Sequence, residues 1–129
     1  MKKLTIFILS ILFLASCTVD SPISAVQTFY KQIQSKDYQT ACQSMINSTL
    51  QLLDENQLKT CSDYYQQNYE QMTEFTVENA LPLATDKLQN LGVSEGFVVY
   101  YTAKLNPEVK HEQINVVRVN GKNVLVWDR

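Results

Sequence analysis

Few residues of this sequence belong to the types that combine to do metal or nucleophilic chemistry. The 129 residues include one histidine, His111, and three cysteines, Cys17, Cys42 and Cys61. A structural zinc site takes four ligands, mostly Cys and His, at short spacings along the chain. These four residues lie far apart, so the sequence argues against such a cluster. His111 stands between Lys110 and Glu112 near the start of a predicted strand, and we expect a solvent-exposed histidine at a sheet edge.

The sequence offers one carboxylate candidate for acid–base catalysis on a strand. This is Glu78, which directly follows the residues 75–77 that look extended. An ionised carboxylate pointing into a fold has to be paired or strongly shifted in its pKa to be tolerated. The three glycines are far apart, so the sequence holds no glycine-rich phosphate loop. Catalysis is unsupported by these residues rather than excluded, and we expect neither a cofactor nor a metal.

The first seventeen residues carry the most specific motif. Lys2 and Lys3 precede an uncharged apolar run of 12 residues, Leu4–Ala15. This run is shorter than the roughly 20 residues that span a bilayer and fits the apolar region of a signal peptide. The tetrad that ends at Cys17, Leu-Ala-Ser-Cys, resembles the bacterial lipobox. The resemblance implies a signal peptide over 1–16 and lipidation of Cys17; the alternative is an ordinary secretory signal in which Cys17 is incidental.

Lipidation at Cys17 would make the mature chain an acidic, membrane-attached body. Residues 17–129 hold nine basic and thirteen acidic side chains, a net charge of −4. This charge does not suit nucleic acid, which is bound by clustered Lys and Arg. Attachment would come from the acyl chains, at about 0.8 kcal/mol per buried CH₂. Residues 17–20 form a short tether that reaches at most about 14 Å to Ser21.

The location of the mature chain follows from the same motif. We expect it in a bacterial cell envelope, anchored to the membrane through Cys17 and in contact with an envelope protein. Thr18 follows the cysteine. By resemblance to Gram-negative sorting rules, this residue favours the outer membrane, facing the periplasm.

Cys42 and Cys61 remain as a pair when Cys17 is lipidated. Both lie on predicted inward faces of consecutive helices. An even number of cysteines in an exported protein suggests a disulfide, and the alternative is two buried free thiols. No C-x-x-C spacing or neighbouring basic residue indicates redox activity.

Three helices are predicted in the first half of the mature chain. Ser21-Pro22 begins the first, over 22–35. Asp37 caps a shorter second helix, and Asp54 with Gln57 forms a capping box for a third, over 55–72. We expect the tyrosines of the third helix to lie at the core margin with their hydroxyls near water, the alternative being an aromatic contact surface; they are Tyr64, Tyr65 and Tyr69.

Extended chain is predicted in the second half. Residues 75–77 look extended, 82–91 fit either a short helix ending at Gly92 or a strand, and 97–105 alternate as a strand. Asn120-Gly121 predicts a two-residue type I′ hairpin turn. The resulting register pairs Val119 with Lys122, Val117 with Val124, Val116 with Leu125, and Ile114 with Trp127.

The fold class follows from this order of elements. The hairpin face with the larger side chains is the one we expect helices to cover; it carries Ile114, Val116, Leu125 and Trp127. Helices followed by antiparallel strands predict an α+β domain over 21–129, with helices packed on one side of a sheet.

A family resemblance extends over about residues 21–128. Its parts are Phe29-Tyr30, the stretch from Lys36 to Cys42 (KDYQTAC), Thr60-Cys61, and Val119-Asn120-Gly121-Lys122 with Trp127. Together they resemble small bacterial envelope lipoproteins of the nuclear transport factor 2-like (cystatin-like) superfamily. One departure is that Asn123–Val126 separate Gly121-Lys122 from Trp127, whereas the family's Trp usually lies closer.

The resemblance implies a cone, in which a curved antiparallel sheet wraps around helices and a pocket can open at the wide end. Aromatic residues that could line this pocket are Tyr30, Tyr65, Phe97, Tyr101 and Trp127. We expect a non-catalytic binding or scaffold module. The alternatives are a small-ligand or weakly catalytic pocket, and an envelope immunity or inhibitor protein.

Overall fold

A computed structural model describes residues 20–129. The predicted signal peptide over 1–16 and the predicted lipidation residue Cys17 lie outside the described residues. The elements follow one another as α1 (Pro22–Gln34), α2 (Tyr38–Gln43), α3 (Glu55–Tyr69), β1 (Glu74–Pro82), α4 (Thr85–Leu91), β2 (Gly96–Lys104), β3 (Val109–Val119) and β4 (Lys122–Leu125). The fold is α+β, as predicted.

The starts of α1 and α3 are stabilised by local side-chain hydrogen bonds. Ser21 and Ser24 form a reciprocal capping box at α1, and Asp54 and Gln57 form the predicted one at α3. Each box satisfies two backbone N–H groups that the first helical turn leaves unpaired. Asp37 does precede α2, but its side chain makes no capping hydrogen bond. The helix α3 ends at Tyr69, three residues before the predicted end.

The four strands form an open antiparallel sheet in the order β1-β2-β3-β4. Consecutive strands are therefore neighbours throughout, as in a meander. The register of β1 against β2 shifts between Val77 and Asn79, where Glu78 is the extra residue of a β-bulge. His111 lies on the part of β3 that pairs with β2 alone, because β4 pairs only with residues 116–119 of β3. Its side chain is 75% exposed, so the prediction of a solvent-exposed histidine at a sheet edge is confirmed.

The β3–β4 hairpin has the predicted turn and register. Asn120 and Gly121 both have positive φ, 52° and 78°, as a type I′ turn requires. The pairs Val119–Lys122, Val117–Val124 and Val116–Leu125 are present. Beyond Leu125 the Val126 N–H still reaches the Asn115 carbonyl, whereas the Trp127 N–H donates to the carbonyl of Ile46. The predicted pairing of Ile114 with Trp127 is thus replaced by a bridge to the segment after α2.

Side chains cover both faces of the sheet. The larger core cluster joins α1, α2 and α3 to one face, and it includes the predicted set Ile114, Val116, Leu125 and Trp127. On the other face, Leu88 and Leu91 of α4 pack against a second cluster around Val117 and Val126. The prediction of helices on one side of the sheet is therefore wrong for α4. A short helix over 85–91 ending at Gly92, one of the two alternatives, is what the structure has.

Replacing Gly121 by alanine should lower the free energy of unfolding by about 1 kcal/mol, since an L-residue in the left-handed region is strained. A Cβ at Gly121 would meet no atom within 4 Å, so the loss would report backbone conformation alone. Urea unfolding measures it. Lys122→Ala, at the exposed neighbouring residue, is the matched control, and equal losses for the two variants would contradict the assignment.

Candidate functional site

The interior between the helices and the sheet is filled by aromatic rings. Tyr30 of α1 lies at the centre and is fully buried. Its ring stacks on Phe75 of β1 with a centroid distance of 4.5 Å, and it lies 4.6 Å from Tyr101 of β2. Rings from α1 and α3 also surround it: Phe29, Tyr65 and Tyr69. The space that the sequence assigned to a possible pocket is mostly occupied by these side chains.

The buried hydroxyls bond to one another. Tyr30 Oη donates to Tyr101 Oη at 2.5 Å, and Tyr69 Oη lies 3.0 Å from Tyr101 Oη. A buried hydroxyl without a partner is costly, so this network allows α1, α3 and β2 to bring tyrosines together inside the core. We call Tyr30, Tyr69 and Tyr101 the tyrosine network. The expectation that the hydroxyls of α3 lie near water is wrong for Tyr65 and Tyr69, which are buried.

Burial also decides the protonation of these groups. It raises the pKa of Tyr30 and Tyr101 well above the usual value near 10, and it raises the pKa of Tyr69 to about 12. Desolvation disfavours the phenolate because a charge loses its hydration in the interior. The network therefore stays neutral at physiological pH, and no phenolate is available there as a base.

A small pocket opens where β3 meets the C-terminal segment. Its volume is about 90 Å³, and Tyr65, Tyr101 and Trp127 line it together with Arg129. Drug-sized ligands occupy roughly 300–1,000 Å³, so this space suits a few water molecules or a small ion. Of the predicted pocket residues, Tyr30 lies in the packed core instead, and Phe97 is half-buried opposite Val116 on the sheet.

Beside this pocket, Tyr64 of α3 contacts a cation, Arg129. The guanidinium carbon of Arg129 lies 4.5 Å from the centroid of the Tyr64 ring. Tyr64 also packs edge-on against Trp127 at 5.6 Å. The C-terminal residues are thus held on α3 by aromatic and cation–π contacts.

Cys42 and Cys61 are brought together as predicted. Both are fully buried, and their sulfur atoms lie 2.13 Å apart, at disulfide distance. The pair joins α2 to α3 in the core, beside the thioether of Met45.

A polar cluster that the sequence did not reveal lies on the outer face of the sheet. Thr102 donates a hydrogen bond to Glu78, and its Oγ1 lies 3.1 Å from His111 Nδ1. The β2–β3 register places Thr102 opposite His111, and the bulge turns Glu78 toward both. The side chains of His111 and Glu78 are 75% and 52% exposed. Water competes for such exposed groups, so this cluster lacks the desolvation that tunes catalytic residues.

Comparison with known proteins gives no match: no protein-family model, no curated protein and no solved structure matches the chain. The helices described within residues 20–129 include none with the length and apolar character to cross a membrane.

Removing the Cys42–Cys61 bridge should cost about 3 kcal/mol of stability in the loop-entropy model for a loop of this length. The double variant Cys42→Ala, Cys61→Ala removes both sulfurs, and urea unfolding with and without a thiol reductant separates the bridge from packing. We expect reductant to destabilise the native sequence and to leave the variant unchanged. A native protein insensitive to complete reduction would contradict the bridge.

The tyrosine network should make the protein labile to alkali. The folded pKa values lie above the unfolded value near 10, so the network's contribution to stability is complete below pH 10. It is lost as the pH rises from 10 through the folded value of about 12 for Tyr69. Absorbance at 295 nm should show fewer tyrosines ionising near pH 10 in the native protein than in urea. Identical titration curves would show that the hydroxyls are not buried.

Proposed function

We propose that the protein is a lipoprotein of a bacterial cell envelope, anchored through Cys17, whose folded body is a non-catalytic binding or scaffold module. The observation that carries this proposal is the Leu-Ala-Ser-Cys tetrad directly after a positive start and a 12-residue apolar run. The buried Cys42–Cys61 pair supports it, since disulfides persist in oxidising compartments outside the cytosol.

The non-catalytic role is supported by the chemistry of the interior. The tyrosine network is neutral, and the pocket beside it holds about 90 Å³. Within residues 20–129, the hydrogen bonds of the three network hydroxyls go to tyrosines and to no carboxylate or imidazole. A proton-transfer reaction needs a positioned base within hydrogen-bond reach of its substrate. The aromatic interior is therefore better suited to rigidity than to turnover.

We further assign the fold to the nuclear transport factor 2-like cone. Three features support this assignment: α1, α2 and α3 precede the sheet, all three pack on one of its faces, and the last hairpin leads to Trp127. The placement of α4 on the opposite face is a departure from a simple cone. An experimental structure with a flat sheet, not curved around the helices, would remove the assignment.

Mass spectrometry of the protein extracted from a bacterial host tests the anchor. We expect a chain that begins at Cys17 and carries diacylglycerol, and that enters the detergent phase of a Triton X-114 separation. Cys17→Ala should abolish both properties because the thioether cannot form. Thr18→Ala is the control that leaves the acceptor thiol in place.

An unacylated native chain, or one that keeps residues 1–16, would refute the anchor. The binding role is tested separately by cross-linking in intact cells. A module of this kind should give the same discrete cross-linked partner with the native sequence and lose it with Cys17→Ala. Recovery of the lipoprotein alone in several mild detergents and after cross-linking would refute the binding role while leaving the anchor intact.

A further inference from the structure

The first described residue is tied to the edge of the sheet. Asp20 Oδ2 accepts a hydrogen bond from the backbone N–H of Asn123, and the Asp20 carbonyl accepts one from Asn123 Nδ2, both at 3.0 Å. We call this pair the Asp20–Asn123 clamp. Asn123 is 9% exposed, so the clamp is shielded from competing water on the side of the sheet. Two bonds to one residue fix both the position and the direction of the chain at Asp20.

The clamp lies at one end of the molecule. Asn123 follows the Asn120–Gly121 turn and pairs with Arg118. From the clamp, α1 runs along the sheet to its other end, where Gln34 Nε2 donates to the carbonyl of Thr73. There the N–H of Thr73 donates a hydrogen bond to the carbonyl of Lys104, beside the turn that contains Glu108. Along β3, the turn at Glu108 lies about 30 Å from Arg118.

The chain between the lipidation residue and the clamp is short. Only Thr18 and Val19 separate Cys17 from Asp20, and three residue steps span at most about 11 Å. An acyl anchor on Cys17 therefore cannot reach past the clamped end of the body. A body on a long, flexible tether could take any orientation relative to the membrane. Here the tether starts from Asp20, which the clamp fixes to the sheet.

The clamped end carries one exposed lysine, Lys122, beside the carboxylates of Asp20 and Glu95. Lys122 is exposed directly beside Asn123, and the part of the chain that the structure describes holds no ion-pair partner for it. Arg118 lies opposite Asn123 and is 3.8 Å from Glu95. An exposed lysine close to a bilayer is attracted to anionic headgroups within a Debye length. The opposite end carries Glu108 together with two lysines, Lys104 in an ion pair with Glu74 and Lys110 over the ring of Tyr69.

The geometry points to a fixed orientation on the membrane: the end with the Asn120–Gly121 turn faces the lipid leaflet, with Lys122 among the phosphates, and the Glu108 turn points away. The partner of this surface is a phospholipid bilayer. This inference rests on the proposed lipidation of Cys17. The clamp fixes the direction of the chain next to the anchor and thereby orients the folded body. The Glu108 end then remains available to other molecules.

Fluorescence quenching on vesicles tests the orientation. With Cys17 acylated and Cys42 and Cys61 bridged, a single introduced cysteine is the one free thiol, so Lys122→Cys and Glu108→Cys can each carry a bimane fluorophore. Both residues are exposed, so neither label disturbs the core. Lys122→Cys removes one charge that faces the phosphates, but it leaves in place the acyl anchor and the clamp, which set the orientation. The acylated proteins are placed in phosphatidylethanolamine–phosphatidylglycerol vesicles that contain a nitroxide-headgroup lipid. We expect at least threefold stronger quenching at position 122 than at 108.

The clamp itself is tested by adding Asn123→Asp to the Lys122→Cys protein. This change keeps the shape, removes the Nδ2 donor and places a second carboxylate beside Asp20. The quenching at position 122 should fall by at least half if the clamp sets the orientation. Circular dichroism verifies the fold, and the comparison of positions 122 and 108 stands without this variant.

The outcomes separate the two proposals. Protein that floats with the vesicles but quenches equally at both positions, or more at 108, overturns the orientation and leaves the anchor standing. Protein that carries no acyl group and does not float overturns both. Cys17→Ala with the same labels should show no quenching at either position.

Discussion

The fold depends on the burial of tyrosine hydroxyls that satisfy one another. Tyr30 comes from α1, Tyr69 from α3 and Tyr101 from β2, and each needs a partner because water is excluded. Apolar packing alone would permit α1 to slide along the sheet. A hydrogen bond between two particular oxygens does not, since its energy falls steeply with distance and angle. The network therefore fixes the register of the helical layer, while the Cys42–Cys61 pair holds α2 to α3.

This constraint also limits what the interior can do. Bringing four tyrosine rings and two phenylalanines into one cluster leaves a pocket of about 90 Å³ at its margin. The same burial that stabilises the phenols keeps them protonated, so rigidity and chemical inertness have one cause. Interaction with other molecules is then left to the surface, which agrees with the proposed role as a binding or scaffold module.

Local signals in the sequence were enough to predict much of the fold. The Asn120–Gly121 turn determined the β3–β4 register because only a few residue types tolerate two successive positive φ angles. Ser21 followed by Pro22, and Asp54 with Gln57, marked the starts of two helices for a similarly local reason. What these signals share is that a few neighbouring residues decide them.

Long-range arrangements were less accessible. The helical periodicity predicted Tyr69 at the margin of the core, but Tyr101, which shares a hydrogen bond with it, lies on another element. The side taken by α4 depends on which face of the sheet remains uncovered, and helix α4 is too short to show a clear stripe. The meeting of Glu78, Thr102 and His111 required both the β2–β3 register and the bulge. Neither follows from composition.

The outer side of β4 illustrates how the ends of the chain are used. The Asp20 carboxylate accepts a hydrogen bond from the N–H of Asn123, and the N–H of Ile46 donates one to the carbonyl of Leu125. An uncovered strand edge is a template for pairing with another molecule. Two of the backbone groups that could recruit a neighbouring strand, the Asn123 N–H and the Leu125 carbonyl, are already occupied. This occupation disfavours edge-to-edge pairing of β4 between copies of the protein, and so disfavours aggregation through this edge of the sheet.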